Sequence, residues 1–270
     1  MHVNYLYEMN TRQVEALARK TSIAFLPIGP TEVHAPHLPL GTDVESALEV
    51  CERASARLQE HHLDCLIASP INYALADVAN CFSGNTTLRF GTVVAIVEDV
   101  CTSLARWGFT YVVVMCGHAE PDNIKALQEG GKRAMERTDG LTVRVSSWLL
   151  GSDIRAAMTC AHPEWDIHAG ESETALMLMR RPELVDTDIL PSLEPNWAGE
   201  FFPERLAEGR DFIGCGAVQA YLGDPRAGTA ETGRKVYDIY ADFVVNEILG
   251  DMAQDDRAQK QALATGPEPA

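Results

Sequence analysis

The chain has 270 residues, 46% of them apolar and 23% charged, with a formal net charge of -17. That length and balance fit one compact α/β domain, no run approaches the roughly 18 apolar residues of a membrane span, and the acidic excess opposes binding to nucleic acid or anionic membranes. Seven scattered Cys without a C-x-x-C pair, and a start lacking a basic segment followed by an apolar one, point to a reducing cytoplasm and no disulfide framework.

In chain order, "SIAFLPI" (22–28) reads as a buried strand. The stiff loop "GPTEVHAPHLPLGTD" (29–43) follows it, and "DVESALEVCERASARLQEH" (43–61) carries apolar residues at helical spacing. "LDCLIASPI" (63–71) reads as a second strand, and "GTVVAIVEDVCTSLARWG" (91–108) as a helix stopping near Gly108. "YVVVMCG" (111–117) is β-branched enough to be a central parallel strand. "PDNIKALQEGGKRAMER" (121–137) is a helix with Pro in its first turn. "LTVRVSSWLL" (141–150) predicts a fourth strand and "SETALMLMRR" (172–181) a further helix. Strands alternating with helices of ten or more residues predict βαβ units and a parallel sheet covered on both faces. The stretch 186–228, with four Pro, predicts long ordered loops. A closing helix is expected over 232–252, so that 1–252 form one domain and 253–270 a disordered tail.

Loops that leave the carboxyl ends of parallel strands share one edge of a sheet. Three loops here combine His with carboxylates. The first holds Glu32, His34, His37 and Asp43. The second, "GHAEPDN", holds His118, Glu120 and Asp122. The third, "HPEWDIHAGESET", holds His162, Asp166, His168, Glu171 and Glu173. A lone loop His is usually a surface hydrogen-bonding group, and Pro36, Pro39 and Gly41 alone would make only a rigid turn. Three such loops together point instead to a metal site. Imidazole with carboxylate suits Zn²⁺, Mn²⁺ or Fe²⁺, and the absence of thiolate from the loops argues against a closed structural zinc site. Glu32 and His34, two residues apart in an extended segment, point to one side. A carboxylate such as Asp43 can bridge two ions about 3.5–4 Å apart.

The first loop and its flank, "PIGPTEVHAPHLPLGTD", resemble the signature of the creatininase family, with Ala35 where the family usually has Gly. "GHAEPDN" and "HAGESETALML" resemble the second and third family blocks, in family order, and "GDPRAGTAETGRKVYD" resembles its closing segment. The resemblance implies a three-layer α/β/α fold, a binuclear metal centre and homo-oligomers, often hexamers. It implies that Glu32 and His118 bind one ion, His34 the other, and that Asp43 bridges them. For the fifth ligand, family patterns point to Glu120 or Glu171. Glu171 is preferred, because Pro121 is inserted beside Glu120. His168 matches the family's proton-handling His, with Glu120 as a proton shuttle. Glu173 is placed behind the ligands, with a helix first-turn carboxylate favouring the dipole and a direct catalytic role as equal alternatives.

The resemblance further implies a hydrolase of a small-molecule substrate, in which metal-bound hydroxide attacks a C–N bond of a cyclic amide, formamide or related metabolite. Creatinine is not the expected substrate. Only Ile167 separates Asp166 from His168 where creatinine-hydrolysing members have two residues, so Trp165 is out of step, and the usual "F-P-G-T" turn reads "FSGNT" (82–86). An alternative is a family-like protein whose metals serve ligand binding or assembly without turnover. A nicotinamide-binding protein is disfavoured, since no G-x-G-x-x-G follows the strands.

Overall fold

A computed structural model describes residues 3–147 and 150–264 of the chain. Four parallel strands, β1 (Ile23–Ile28), β2 (Leu66–Ile67), β3 (Tyr111–Cys116) and β4 (Thr142–Ser146), form one sheet in the order β2-β1-β3-β4. β1 and β3 pair along their whole lengths, from Ile23 with Tyr111 to Ile28 with Cys116. Every residue of both is buried, as expected for central strands covered on two faces.

Side chains alternate across the sheet. Ile23, Phe25, Val113 and Met115 join a core under α2 (Thr42–Glu60), α5 (Glu171–Arg180) and α8 (Ala230–Ala264). Ala24, Leu26, Val112 and Val114 join a second core under α3 (Phe90–Arg106) and α4 (Pro121–Arg137), with Leu17 of α1 (Thr11–Ala18) at its margin. Each large side chain so buried contributes about 1.5–3 kcal/mol of hydrophobic stabilisation before entropy is counted. The result is the three-layer α/β/α fold.

Three elements depart from expectation. β2 is two residues long, because Pro70 has no N–H to donate and only Ile71 regains a bridge to Ile28. α1 was not foreseen, although Asn10 and Gln13 form a reciprocal capping box before it. α8 continues past 252 to Ala264, as no Gly or Pro interrupts 251–264; residues 265–270 of the expected tail lie outside the described residues. Within the predicted strand 141–150, Trp148 and Leu149 also lie outside them. Between α5 and α8 the chain makes short 3-10 turns plus α6 (Phe202–Ala207) and α7 (Phe212–Cys215). These pack with Val78, Ala79, Ala217 and Leu222 into a third, small apolar cluster. Among the described residues, no helix is long and apolar enough to cross a membrane.

The strand order reverses between β1 and β3. The chain leaves β1 for β2 on one side and returns to β3 on the other. The crevice beyond the carboxyl ends of these two strands is where open α/β sheets bind ligands.

Candidate metal centre

The loop after β1 and the loop after β3 meet the first turn of α2 in that crevice. At Gly29 and Gly117 a Cβ would collide with the backbone of Asp43, so this approach requires glycine at both positions. Glu32 N–H donates to the Leu40 carbonyl (2.9 Å) and Thr42 Oγ1 to the Pro39 carbonyl (2.7 Å), closing the first loop on itself. Asp43 then opens α2 at its positive dipole end. Ala35 sits at φ 55°, the left-handed region, which explains why glycine is usual at this place in the resembling signature.

Four buried side chains converge there. His118 Nδ1 lies 2.9 Å from Glu32 Oε2 and 3.6 Å from Asp43 Oδ2. His34 Nε2 lies 3.4 Å from Asp43 Oδ1 and 3.7 Å from Glu173 Oε1. Two trios, Glu32–Asp43–His118 and His34–Asp43–Glu173, each present three ligand atoms within 4.8 Å of one another, and Asp43 belongs to both. A third trio is Glu32–His34–His168. The His34 Nδ1–H donates to the Glu32 carbonyl (3.1 Å), which leaves the Nε2 lone pair directed at carboxylates.

This arrangement is poorly satisfied by the protein alone. Both Glu32 carboxylate oxygens, His34 Nε2, Asp43 Oδ2 and His118 Nε2 are buried without a hydrogen-bond partner. Buried orphans of this kind cost free energy, and carboxylate crowded against lone pair is what a divalent cation relieves. The donors are all imidazole and carboxylate, the set that suits Zn²⁺ or Mn²⁺. The residues therefore fit a metal.

The charges are strongly coupled. Burial alone would lower the His34 pKa, but Asp43 and Glu173 outweigh it and hold the imidazole well above its ordinary value. His118 is raised likewise against burial, by Glu32 and Glu120. Burial pushes Asp43 up to about 6, with His34 opposing. Glu173 is also penalised by burial, yet His34 draws it down to about 2. Without a metal, protons on the imidazoles would take the place of the cations.

Of the sequence-derived residues, Glu32, His34, Asp43 and His118 come together, and Glu171 does not. Its carboxylate accepts from Thr159 N–H (2.8 Å at each oxygen), Thr159 Oγ1 (2.8 Å) and Cys160 N–H (2.7 Å). The carboxylate of α5 that joins a trio is Glu173, not the Glu171 expected as fifth ligand, which is held by the 159–160 backbone. Residues two apart on a helix point about 200° from each other, so only one of the two can face the centre. Glu120 sits at the margin. Its Oε2 is 3.6 Å from His118 Nε2, and its carboxylate accepts from Asp77 and Val78 N–H (3.3 Å each).

His168 is buried beside the centre, with its ring 4.3 Å from that of His34 and 4.6 Å from that of Phe212. Its Nε2–H donates to the Val33 carbonyl (2.7 Å), and its backbone pairs with Leu222 on both sides. Burial and the neighbouring His34 lower its pKa to about 4, so it is neutral at pH 7. His37 faces Thr174 Oγ1 at 2.7 Å, away from these trios.

Asp166, one of the third loop's carboxylates, takes a structural place rather than one in the trios. The buried Asp166 carboxylate accepts from the backbone of Glu171 (2.7 Å), Ser172 (3.4 Å) and Asp224 (3.3 Å), and from Ser172 Oγ (3.2 Å). Side chains at Gly170 or Gly223 would strike it. It ties the segment bearing His168 and the helix bearing Glu173 to the 222–224 strip. Beside the trios a cavity of about 390 Å³ opens, with Asp43, His118, Glu120, His168 and Glu173 along one side.

The chain is similar to known proteins along most of its length. The family model described as "Creatininase: Creatinine amidohydrolase" matches residues 7–248. A mycofactocin precursor peptide peptidase of Mycobacterium ulcerans is 30% identical over 250 residues, covering 91% of this chain and 92% of that protein. A creatinine amidohydrolase of Pseudomonas putida is 31% identical over 196 residues, covering 68% of this chain and 74% of the relative. The crystal structure of a creatinine amidohydrolase superposes with a TM-score of 0.77 at 23% identity, covering 93% of this chain and 98% of the other, and a manganese creatininase with 0.76 at 24%, covering 93% and 99%. With the family signature matched over nearly its whole length, the chain belongs to the creatininase family of hydrolases.

Proposed function

We propose that the protein is a two-cation amidohydrolase that cleaves the C–N bond of a small neutral amide such as a lactam or formamide. The observation that carries this reading is the sharing of Asp43 between two trios, its two oxygens turned toward His34 and His118 respectively. Glu32 and His118 would hold one ion, His34 and Glu173 the other, and Asp43 both. Bound divalent cations supply Lewis acidity that ionises water near neutral pH and polarises a carbonyl. The chain's own groups manage the rest. His168, its Nε2–H committed to Val33, offers Nδ1 to take a proton and pass it to the leaving nitrogen. Glu120, at the edge of the cavity, is placed to relay protons. The water oxygen ends on the acyl carbon, the C–N bond breaks, and the nitrogen leaves protonated.

Creatinine is a poor candidate because of the shift of Trp165 relative to His168. A second reading, cleavage of a peptide bond, is favoured by the peptidase names of relatives 28–30% identical over 87–91% of the chain. We also infer a cytoplasmic homo-oligomer, a hexamer by family expectation, which sedimentation would test.

The decisive assay loads the purified chain with Mn²⁺ or Zn²⁺, counts the bound metal, and offers lactams, formamides, short peptides and creatinine. Chelator-sensitive hydrolysis of lactams or formamides is expected. Turnover confined to peptides would select the second reading. Two bound cations with no turnover anywhere would make the centre a binding or assembly site instead.

A further inference from the structure

We propose that the cavity beside the metal centre is an apolar chamber, and that the protein selects amides carrying a bulky apolar group, rather than an anionic one, next to the scissile bond. This rests on the amidohydrolase reading, which places the scissile bond at the Asp43 end of the cavity, and it adds the class of substrate.

The cavity has two chemically distinct sides. The ligand side carries the carboxylates and imidazoles described above. The same cavity is also lined by an apolar wall of Val78, Trp165, Ile167, Phe202, Leu206 and Phe212. These residues come from four separate segments, and most of them belong to the third apolar cluster. The wall is continuous with the proton-handling group, because the Phe212 ring packs on His168 (4.6 Å) and the Phe202 ring follows at 6.1 Å. Phe212 is 2% exposed and held from behind, whereas Phe202 and Leu206 are only half-buried and present free surface to the cavity.

A volume of about 390 Å³ lies within the range of small-molecule pockets, roughly 300–1,000 Å³. It exceeds the needs of a bare formamide. Filling it with an apolar substituent removes that substituent and the wall from water together, and both gain. An anionic substituent finds no comparable gain. Arg155 also lines the cavity, but two acids, Glu164 and Glu200, line it as well. An anionic flank would meet these acids together with Glu120 and Glu173.

Hydroxamates test this without turnover, since the hydroxamate head chelates a divalent cation and leaves its substituent to report on the chamber. The metal-loaded full-length chain is titrated calorimetrically with acetohydroxamate, benzohydroxamate and the monohydroxamate of succinic acid, each normalised to its affinity for the aqueous ion. Benzohydroxamate is expected to bind at least about tenfold tighter than acetohydroxamate, given what a single methylene is worth in an apolar pocket, and the succinyl compound most weakly. In Phe202→Ala, and separately in Leu206→Ala, the phenyl-over-methyl ratio should fall at least threefold, about half the logarithm of that preference. Equal affinities, tightest binding of the succinyl compound, or a ratio unchanged in both variants would overturn the chamber. So would failure of every hydroxamate to bind a chain that holds its cations, since the cavity would then not open on them. A chain that holds no divalent cation at all would instead overturn the amidohydrolase reading itself.

Discussion

The two sides of the cavity are built in opposite ways. The ligand side is built around the loops that follow β1 and β3, where Gly29 and Gly117 let backbones touch, together with the first turns of α2 and α5 that carry Asp43 and Glu173. The apolar wall comes from 3-10 turns and one-turn helices brought together by packing around Leu222 and Phe212. Local geometry makes the first, and tertiary burial the second. The first side is the one suited to chemistry that needs positions fixed to fractions of an ångström.

The sharpest contrast between anchored and ligating groups is on α5. Glu173→Gln should lose one cation per chain and more than about 100-fold in kcat, beyond the range for residues that only support ligands. Glu171→Gln should keep its metal and lose about 1–3 kcal/mol of stability, because an amide cannot accept from all the donors around it. Metal analysis with thermal unfolding reads both; metal loss in the Glu171 variant instead would reverse the assignment.

Next in size is the joint between the two sides. Asp166→Ala would leave backbone N–H groups of Glu171, Ser172 and Asp224 unpartnered in the interior. We expect about 2–4 kcal/mol of destabilisation and a kcat about 10–100-fold lower through misplaced His168 and Glu173, with both cations retained. An unchanged kcat would mean that the ligand side does not need this joint.

A pH series separates protons from metal on the ligand side. In metal-free protein the folded-state pKa values of His34 and His118 lie well above their ordinary value. The folded chain therefore holds more protons than the unfolded one above about pH 6.5, and stability from this source is full below that pH and lost as pH rises through the raised values. Burial raises Asp166 to about 7, which acts in the same direction up to that pH. Chelator-treated protein should thus lose stability from pH 6.5 upward, while cation affinity rises over the same range as protons cease to compete. Stability that increased with pH in the metal-free protein would contradict this picture.

The smallest effect tests loop strain. Ala35→Gly relieves a left-handed alanine but adds unfolded-state entropy, and the two nearly offset, so unfolding should shift by less than about 1 kcal/mol.

Much of the ligand side was legible in the sequence. Residues 22–43 carry strand β1, the prolines that stiffen the loop after it, and Glu32, His34 and Asp43 in one stretch, and a parallel sheet with a reversal beside β1 puts His118 opposite. What failed was angular detail. Glu171 and Glu173 differ by less than one helical turn, and only the position of the α5 start, fixed by Asp166 and Gly170, decides which faces inward. The short length of β2 was signalled by Pro70. Nothing in the spacing of Phe202, Leu206 and Phe212 showed that they would converge, because their contacts are with residues far away in sequence such as Val78 and His168.

Metal stoichiometry of the intact chain beside Asp43→Asn tests the central claim most directly. With Mn²⁺ or Zn²⁺ supplied in excess and the free ion removed, the account predicts two cations per wild-type chain and, because one carboxylate serves both, loss of both in the variant. A wild-type chain that saturates at one cation, or an Asp43→Asn chain that still holds two, would contradict it.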